Sequence, residues 1–252
     1  MRRTPHFLLL VAALLALFAR DADALCVATR TTAILLTPLD VPVAADGSLL
    51  AGIQYGFDAG GLPASYGSAG EFTLPPLALV QRTRRVPVTQ HPIPGGLIRL
   101  AWATPPPPGV YTLEGFAGPG ETPPSVTIGG VLPPPPAAPV LTSVTHQERH
   151  QAYEGPRGAG RWTQWQTRVE LGQALPDLAE FLVVRTVGST VGLQFFDARF
   201  GTTLEDSGTL GGRCEPGFVE GRGRVAVRAQ VEAYVIDHFG RVSPPSAPVR
   251  VR

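Results

Sequence analysis

Residues 225–235 read Val-Ala-Val-Arg-Ala-Gln-Val-Glu-Ala-Tyr-Val, and every second position from Val225 to Val235 is Val or Ala. Between these positions stand Arg228, Gln230 and Glu232, which prefer water. Alternation with a period of two is typical of a strand that has one face buried and one face exposed. The stretch therefore predicts a long antiparallel strand and an all-β fold.

The segment from Arg161 to Leu171 shows the same alternation. Its odd positions carry Trp165, Val169 and other residues suited to a core, whereas its even positions are mostly polar. We expect Trp165 in the core and Trp162 at the surface. The apolar run at residues 181–184 predicts a further strand.

Proline and glycine divide the chain and exclude a helical bundle. Together they make up 56 of the 252 residues, about 22%, and regular helix needs long stretches free of both. Four consecutive prolines at 133–136 favour an extended, semi-rigid spacer. We expect a block at 25–131, a proline-rich linker acting as a hinge at 132–139, and a second block at 140–252. Each block has the ordinary size of one β-sandwich.

The end of the second block resembles the last third of a fibronectin type III domain. The segment Thr203-Leu204-Glu205-Asp206-Ser207-Gly208 precedes the alternating strand, and Asp237, Gly240, Ser243 and Ser246 match the D-x-x-G-x-x-S-x-x-S turn of that family. The expected tyrosine of the penultimate strand is absent, and the glycine-rich stretch 208–223 is longer than usual. The first block is similar only in pattern to bacterial Ig-like domains. These resemblances imply two antiparallel β-sandwich domains (Ig-like and fibronectin type III-like) in tandem, used as spacers or ligand-binding modules.

The first 24 residues have the three parts of a secretory signal peptide. Arg2 and Arg3 precede an apolar run at 7–18, and Ala22-Asp23-Ala24 supplies an A-x-A cleavage site. We expect an exported protein, periplasmic, at the cell surface or secreted, with no transmembrane segment in the mature chain. A lipoprotein is the alternative because of Cys26, but bulky Leu25 directly before it departs from that pattern.

The charge of the chain argues against nucleic-acid partners. The formal net charge is +1, and all 21 basic residues are Arg, which fits a GC-rich genome better than a selected binding surface. Phosphate binding needs a clustered basic face. The sequence therefore favours a protein or glycan partner over a nucleic acid.

Two cysteines remain after the expected cleavage, Cys26 and Cys214. In an oxidising compartment they could form a disulfide, or each could remain a thiol. A bond between them requires the two blocks to lie side by side, with Cα atoms within about 7 Å.

His146, Glu148 and His150 are the metal candidates. Alternate residues of a strand point the same way, so these three could offer nitrogen, oxygen and nitrogen ligands. Exposed polar residues on a strand explain the pattern equally well. We expect no metal, no cofactor and no catalytic residue.

Trp162, with Tyr153 and the polar side of its strand, is a candidate platform for a sugar ring or a peptide. Packing of Trp162 under a neighbouring loop is the alternative. From these features we expect a non-enzymatic structural or adhesive spacer protein of the bacterial envelope. The alternatives are a module that binds carbohydrate or a cell-wall polymer, and a periplasmic metal-binding protein.

Overall fold

The computed structural model describes residues 30–56, 65–66, 74–93, 97–117, 122–155, 158–189, 193–210 and 225–252. These residues form β-strands joined by turns, with a single 3-10 turn at Ala198–Phe200. The all-β prediction is confirmed. The predicted signal peptide lies outside the described residues.

The first block forms one continuous sheet. Its strands are β1 (Arg30–Leu35), β2 (Val43–Ala44), β3 (Ser48–Gly56), β4 (Ser65–Tyr66), β5 (Leu77–Gln81), β6 (Arg84–Ile93), β7 (Leu97–Ala101), β8 (Gly109–Glu114) and β9 (Ser125–Gly130). They follow the order β1-β3-β7-β6-β5-β8-β9-β2, and β4 pairs with β3. Neighbours on this path are antiparallel except β2 and β9.

The sheet of the first block curls at β6, which belongs to both of its halves. Residues 84–88 of β6 pair with β5, whereas residues 89–93 pair with β7. The curled sheet encloses a core that includes Leu49, Leu79, Leu100, Tyr111 and Leu113. The expectation of an Ig-like sandwich for this block is not confirmed, because the described strands lie on one path rather than in two separate sheets.

The second block contains two sheets. Its strands are β10 (Leu141–Gly155), β11 (Gly158–Leu171), β12 (Ala179–Thr186), β13 (Gln194–Asp197), β14 (Thr203–Leu210), β15 (Gln230–Asp237) and β16 (Val249–Arg250). One sheet has the order β10-β11-β14, and the other has the order β13-β12-β15-β16. Val144 and Val169 of the first sheet and Leu182 and Val235 of the second share one buried cluster, so the two sheets pack face to face.

The four-stranded sheet is buried on both faces. Leu182 and Val184 of β12 contribute to the core of the second block. Phe181 and Val183 point the other way and pack in a separate cluster whose members from the first block include Leu50. The apolar run 181–184 is continuous for this reason, since a strand buried on both faces carries apolar residues at every position.

The two alternating segments differ in how closely they match the prediction. In β11, Thr167 and Val169 are buried while Gln166 and Arg168 are exposed, which confirms the alternation. The strand expected to begin at residue 225 begins instead at Gln230. A turn precedes it, in which the Ala229 N–H donates to the Ala226 carbonyl and Arg228 has a φ of 67°. Residues 226–229 therefore form a turn despite their alternating pattern.

The proline-rich linker is held at its first half. The Arg241 guanidinium of the second block donates to the carbonyls of Pro133 (2.6 Å) and Pro134 (3.2 Å). These contacts join the linker to a turn that itself packs on the first block. Residues 133–134 of the linker are therefore hydrogen-bonded to the second block.

Candidate functional site

The turn after β15, residues 237–241, is organised by one carboxylate. Asp237 is 2% exposed. Its Oδ1 accepts from the backbone N–H groups of Phe239 (3.0 Å) and Arg241 (2.9 Å), and its Oδ2 accepts from Arg241 Nε at 2.7 Å. A carboxylate that accepts several charge-assisted or backbone hydrogen bonds fixes both its own rotamer and the loop around it. The turn is thus preformed rather than loose.

This turn inserts into the first block. Phe239 is 2% exposed and belongs to the core cluster of the curled sheet, although it lies in the second block. Its carbonyl accepts from Ser48 Oγ at 2.6 Å, and the His238 carbonyl accepts from Thr37 Oγ1 at 2.6 Å. Both hydroxyls belong to the first block, so apolar burial and directed hydrogen bonds act at the same place. We call residues 237–241 the docking turn.

Gly240 allows the close approach of the docking turn to the first block. Its φ of 72° lies in the left-handed region, and an added Cβ would lie 3.0 Å from Arg99 Cγ and 3.1 Å from Arg99 Cβ. Glycine pays no penalty for either condition because it has no side chain. The glycine of the predicted motif therefore has a defined role at the contact between the blocks.

The two serines of the same motif, Ser243 and Ser246, hydrogen-bond to the backbone of β15 in place of a neighbouring strand. The Ser243 N–H donates to the Val235 carbonyl and Ser243 Oγ accepts from the Val235 N–H, both at 2.9 Å. Ser246 makes the same pair of bonds with Ala233, at 2.7 and 3.0 Å. Prolines lie between and beyond these serines and cannot donate, so the hydroxyls keep the backbone of β15 satisfied.

The first metal candidate, His146, is buried on β10. The His146 side chain is 1% exposed. Its Nδ1 lies 2.7 Å from Thr167 Oγ1, its Nε2 lies 3.2 Å from Glu148 Oε1, and its ring stacks on Trp165 at 6.4 Å. Both ring nitrogens are therefore engaged within the protein. The imidazole packs as a satisfied core residue.

His150 is separate from this cluster. Its Nδ1 lies 2.9 Å from Thr163 Oγ1, at an exposed part of the strand. Among the residues that the structure describes, no group of three or more His, Cys, Asp or Glu side chains is arranged to hold a metal ion. The structure brings Glu148 to His146 and leaves His150 with a different partner.

Several predicted residues lie wholly or partly outside the described part of the chain. Cys26 and Cys214 are both outside it, so the disulfide stays a prediction. For Trp162 the structure gives the backbone position in β11, opposite Gln151 of β10. The side chains of Trp162 and Tyr153 lie outside the described residues.

Two titratable groups have pKa values displaced by their surroundings. Side-chain hydrogen bonds from Arg199 hold the pKa of Asp197 below its ordinary value of 3.8, against the opposing effect of burial. Burial raises the pKa of Tyr234, and the nearby Arg185 guanidinium partly offsets this. Tyr234 lies in the cluster between the two blocks, where it is 6% exposed.

Sequence reasoning missed the docking of the blocks although two signals were present. The run 181–184 is apolar at every position, which is typical of a strand buried on both faces. Tyr234 interrupts the polar positions of its strand with a large aromatic residue. Phe181, Val183 and Tyr234 face away from the core of the second block, and all three lie in the contact with the first.

A scan against protein-family models found no match, and a search of curated proteins found none either. Within the described residues, no helix has the length and apolar character needed to cross a membrane.

Proposed function

We propose that this chain is an exported, non-enzymatic structural protein whose two β blocks are locked together as one rigid unit. Such a unit spaces or presents partners in a bacterial envelope or a secreted assembly. The observation that carries the proposal is the docking turn, which places Phe239 of the second block in the core of the first. A flexible tether does not need such a contact between its domains. In a rigid unit, the contact fixes the distance and angle between the surfaces of the two blocks.

The burial at the contact supports a permanent arrangement. Leu50, Ile93 and Leu97 of the first block are each at most 8% exposed, and so are Phe181 and Ile236 of the second. Burying a large apolar side chain contributes about 1.5–3 kcal/mol. Several such side chains outweigh the cost of fixing one linker, so the docked arrangement is the stable one.

The strand order supports the family resemblance of the second block. A three-stranded sheet β10-β11-β14 against a four-stranded sheet β13-β12-β15-β16 has the three-plus-four division of a seven-stranded sandwich. Asp237 and Gly240 have structural roles in the docking turn, and Ser243 and Ser246 hydrogen-bond to β15. A fibronectin type III-like module in this position is in keeping with a spacer, although fold alone does not determine activity.

Export is tested by the intact mass of the protein recovered from outside the cytoplasm, alkylated without prior reduction. The proposal predicts a chain that begins at Leu25. A mass two hydrogens lower without alkylation means that Cys26 and Cys214 are bonded, whereas two alkyl groups mean two thiols. A chain that keeps residues 1–24 would contradict export by a cleaved signal.

The structural role is tested by cross-linking in intact cells that produce the tagged protein. We compare the parent with Phe239→Asp, which disrupts the docking turn, and with Val242→Asp as a control at a side chain that is 48% exposed. We expect the parent and the control to give the same cross-linked assemblies and Phe239→Asp to lose them. Identical assemblies for all three proteins would contradict a role for the rigid unit.

A further inference from the structure

The three-stranded sheet of the second block has an exposed face lined by glutamines. On β10, Gln147, Arg149 and Gln151 alternate with residues that face the other way, and all three are exposed. In register across β11, Gln147 lies opposite Gln166 and Arg149 lies opposite Gln164. Residues directly opposite in an antiparallel pair share a face, so these five side chains form one array. We call this array the glutamine face.

The glutamine face is not explained by overall composition. The chain has ten glutamines and no asparagine or lysine, yet four of its ten glutamines stand on this one surface. The residues enriched in strands are the β-branched and aromatic ones, and glutamine is not among them. The clustering of amides on two adjacent strands therefore points to a use other than strand formation.

The charges beside the glutamine face are balanced. Arg168 lies 3.5 Å from Glu170 and 3.7 Å from Glu205, and Gln166 Nε2 donates to Glu205 Oε2 at 3.2 Å. Among the described residues, Arg149 has no ion-pair partner and is the one basic group of the array itself. A polyanion would need several clustered cations, and a membrane surface would need apolar or basic clusters. The surface matches an uncharged ligand.

The chemistry of amides identifies the class of that ligand. Each glutamine side chain offers two N–H donors and a carbonyl acceptor, so a row of them can both donate to and accept from hydroxyl groups. From residue 147 to residue 151 the array runs about 14 Å along the strand, at about 3.4 Å per residue. An extended chain with many hydroxyls fits such a flat, two-stranded array better than a compact small molecule, which prefers a concave site.

We propose that the glutamine face binds a neutral, hydroxyl-rich polysaccharide that lies along β10 and β11. This inference goes beyond the proposed structural function and does not depend on the docking turn, because the face lies on a sheet separated from the first block by the four-stranded sheet. The position of Trp162 opposite Gln151 continues the same register series at one end. The binding rests on the amides, with Arg149 as an additional donor.

Affinity electrophoresis of the full mature chain tests the proposal. Native gels contain hydroxyethyl cellulose, galactomannan or dextran as neutral probes, and polygalacturonate or double-stranded DNA as anionic probes. We expect at least one neutral polysaccharide to retard the protein and the anionic polymers to leave its mobility unchanged. Absence of retardation by all three neutral probes, or retardation by the anionic ones alone, would overturn the proposal.

Paired variants locate the binding surface. Gln164→Ala/Gln166→Ala should weaken retention about tenfold or more, because two hydrogen-bonding groups are lost. Gln173→Ala/Gln230→Ala is the matched control, since both of those side chains are exposed and lie elsewhere. Equal retention by the two double variants would overturn the assignment to this face.

A second variant keeps the test independent of folding. Gln147→Glu/Gln151→Glu preserves the shape of both side chains but removes their donors and adds charge, and it should also lose retention. Phe239→Asp should keep binding the polysaccharide even if it loses the rigid arrangement of the blocks. The two proposals can therefore fail separately.

Discussion

Phe239→Ala tests the docking of the two blocks at its most buried contact. The side chain is 2% exposed and lies in the core of the block to which it does not belong. Truncating a buried Phe to Ala costs about 3–5 kcal/mol, from lost burial and the cavity left behind. For a chain of this size, about 2–4 °C is lost per kcal/mol, so the midpoint of thermal unfolding should fall by about 6–20 °C.

Urea unfolding of Phe239→Ala is followed by tryptophan fluorescence and by circular dichroism. Fluorescence reports on both blocks because Trp102 lies in the first and Trp165 in the second. The parent should unfold in a single transition that both probes share, as expected of one cooperative unit. Val242→Ala, at an exposed position close to the docking turn, should stay within about 0.5 kcal/mol of the parent. A free energy of unfolding for Phe239→Ala equally close to the parent would refute the docking.

Three further variants test separate contacts. Gly240→Ala and Gly188→Ala both place a side chain at a positive φ, a cost of about 1–2 kcal/mol, but only at Gly240 would the new Cβ meet Arg99. Gly240→Ala should therefore lower the unfolding free energy more, and equal losses would contradict the close approach of the blocks. Thr37→Val removes the hydroxyl that donates to the His238 carbonyl and accepts from the Leu50 N–H. Chemical denaturation should show a loss of unfolding free energy of about 1–3 kcal/mol for each group left unpaired. An unchanged midpoint would argue against these bonds. The pKa of Asp197 is lower in the folded state, so the ionised carboxylate stabilises the fold above its unfolded pKa near 3.8, and this stabilisation is lost as the pH falls through the folded pKa. The difference in unfolding free energy between Asp197→Asn and the parent should therefore shrink below about pH 4. A difference that stays constant from pH 7 to pH 2 would contradict the assignment.

The parts of the fold that follow from local pattern could be predicted. The alternation of β11 identified its buried and exposed faces, since a strand with one face in water has a strict period of two. The motif residues Asp237, Gly240, Ser243 and Ser246 were identifiable because each performs a local task. The Asp237 carboxylate holds the docking turn, Gly240 adopts a left-handed φ, and the two serines hydrogen-bond to β15. Such tasks depend on neighbours a few residues away.

Features set by distant contacts could not be predicted in the same way. β6 contains Pro87 and Pro92, which normally count against a strand. Each half of β6 pairs on one side only, so a missing N–H can face the unpaired side. The start of β15 was misplaced because residues 226–229 have the hydrophobic alternation of a strand but form a turn, closed by the bond from the Ala229 N–H to the Ala226 carbonyl.

The candidate surfaces needed the register between strands. Gln164 and Gln166 were visible as the polar side of one strand, but their neighbours Gln147 and Arg149 come from β10, and only the pairing of the two strands brings them together. The metal hypothesis failed to gain support for a similar reason. His146 acquires partners for both ring nitrogens from Glu148 and from Thr167, and Thr167 lies on a different strand.

The distance between two spin labels, one in each block, tests the rigid docking most directly. Cys26 and Cys214 are replaced by Ser, and labels are attached at Val110→Cys in the first block and Val187→Cys in the second, where the native side chains are 59% and 41% exposed. The docked arrangement predicts a single narrow distance distribution that broadens in Phe239→Asp. A distribution that is already broad with Phe239 in place would contradict the rigid unit.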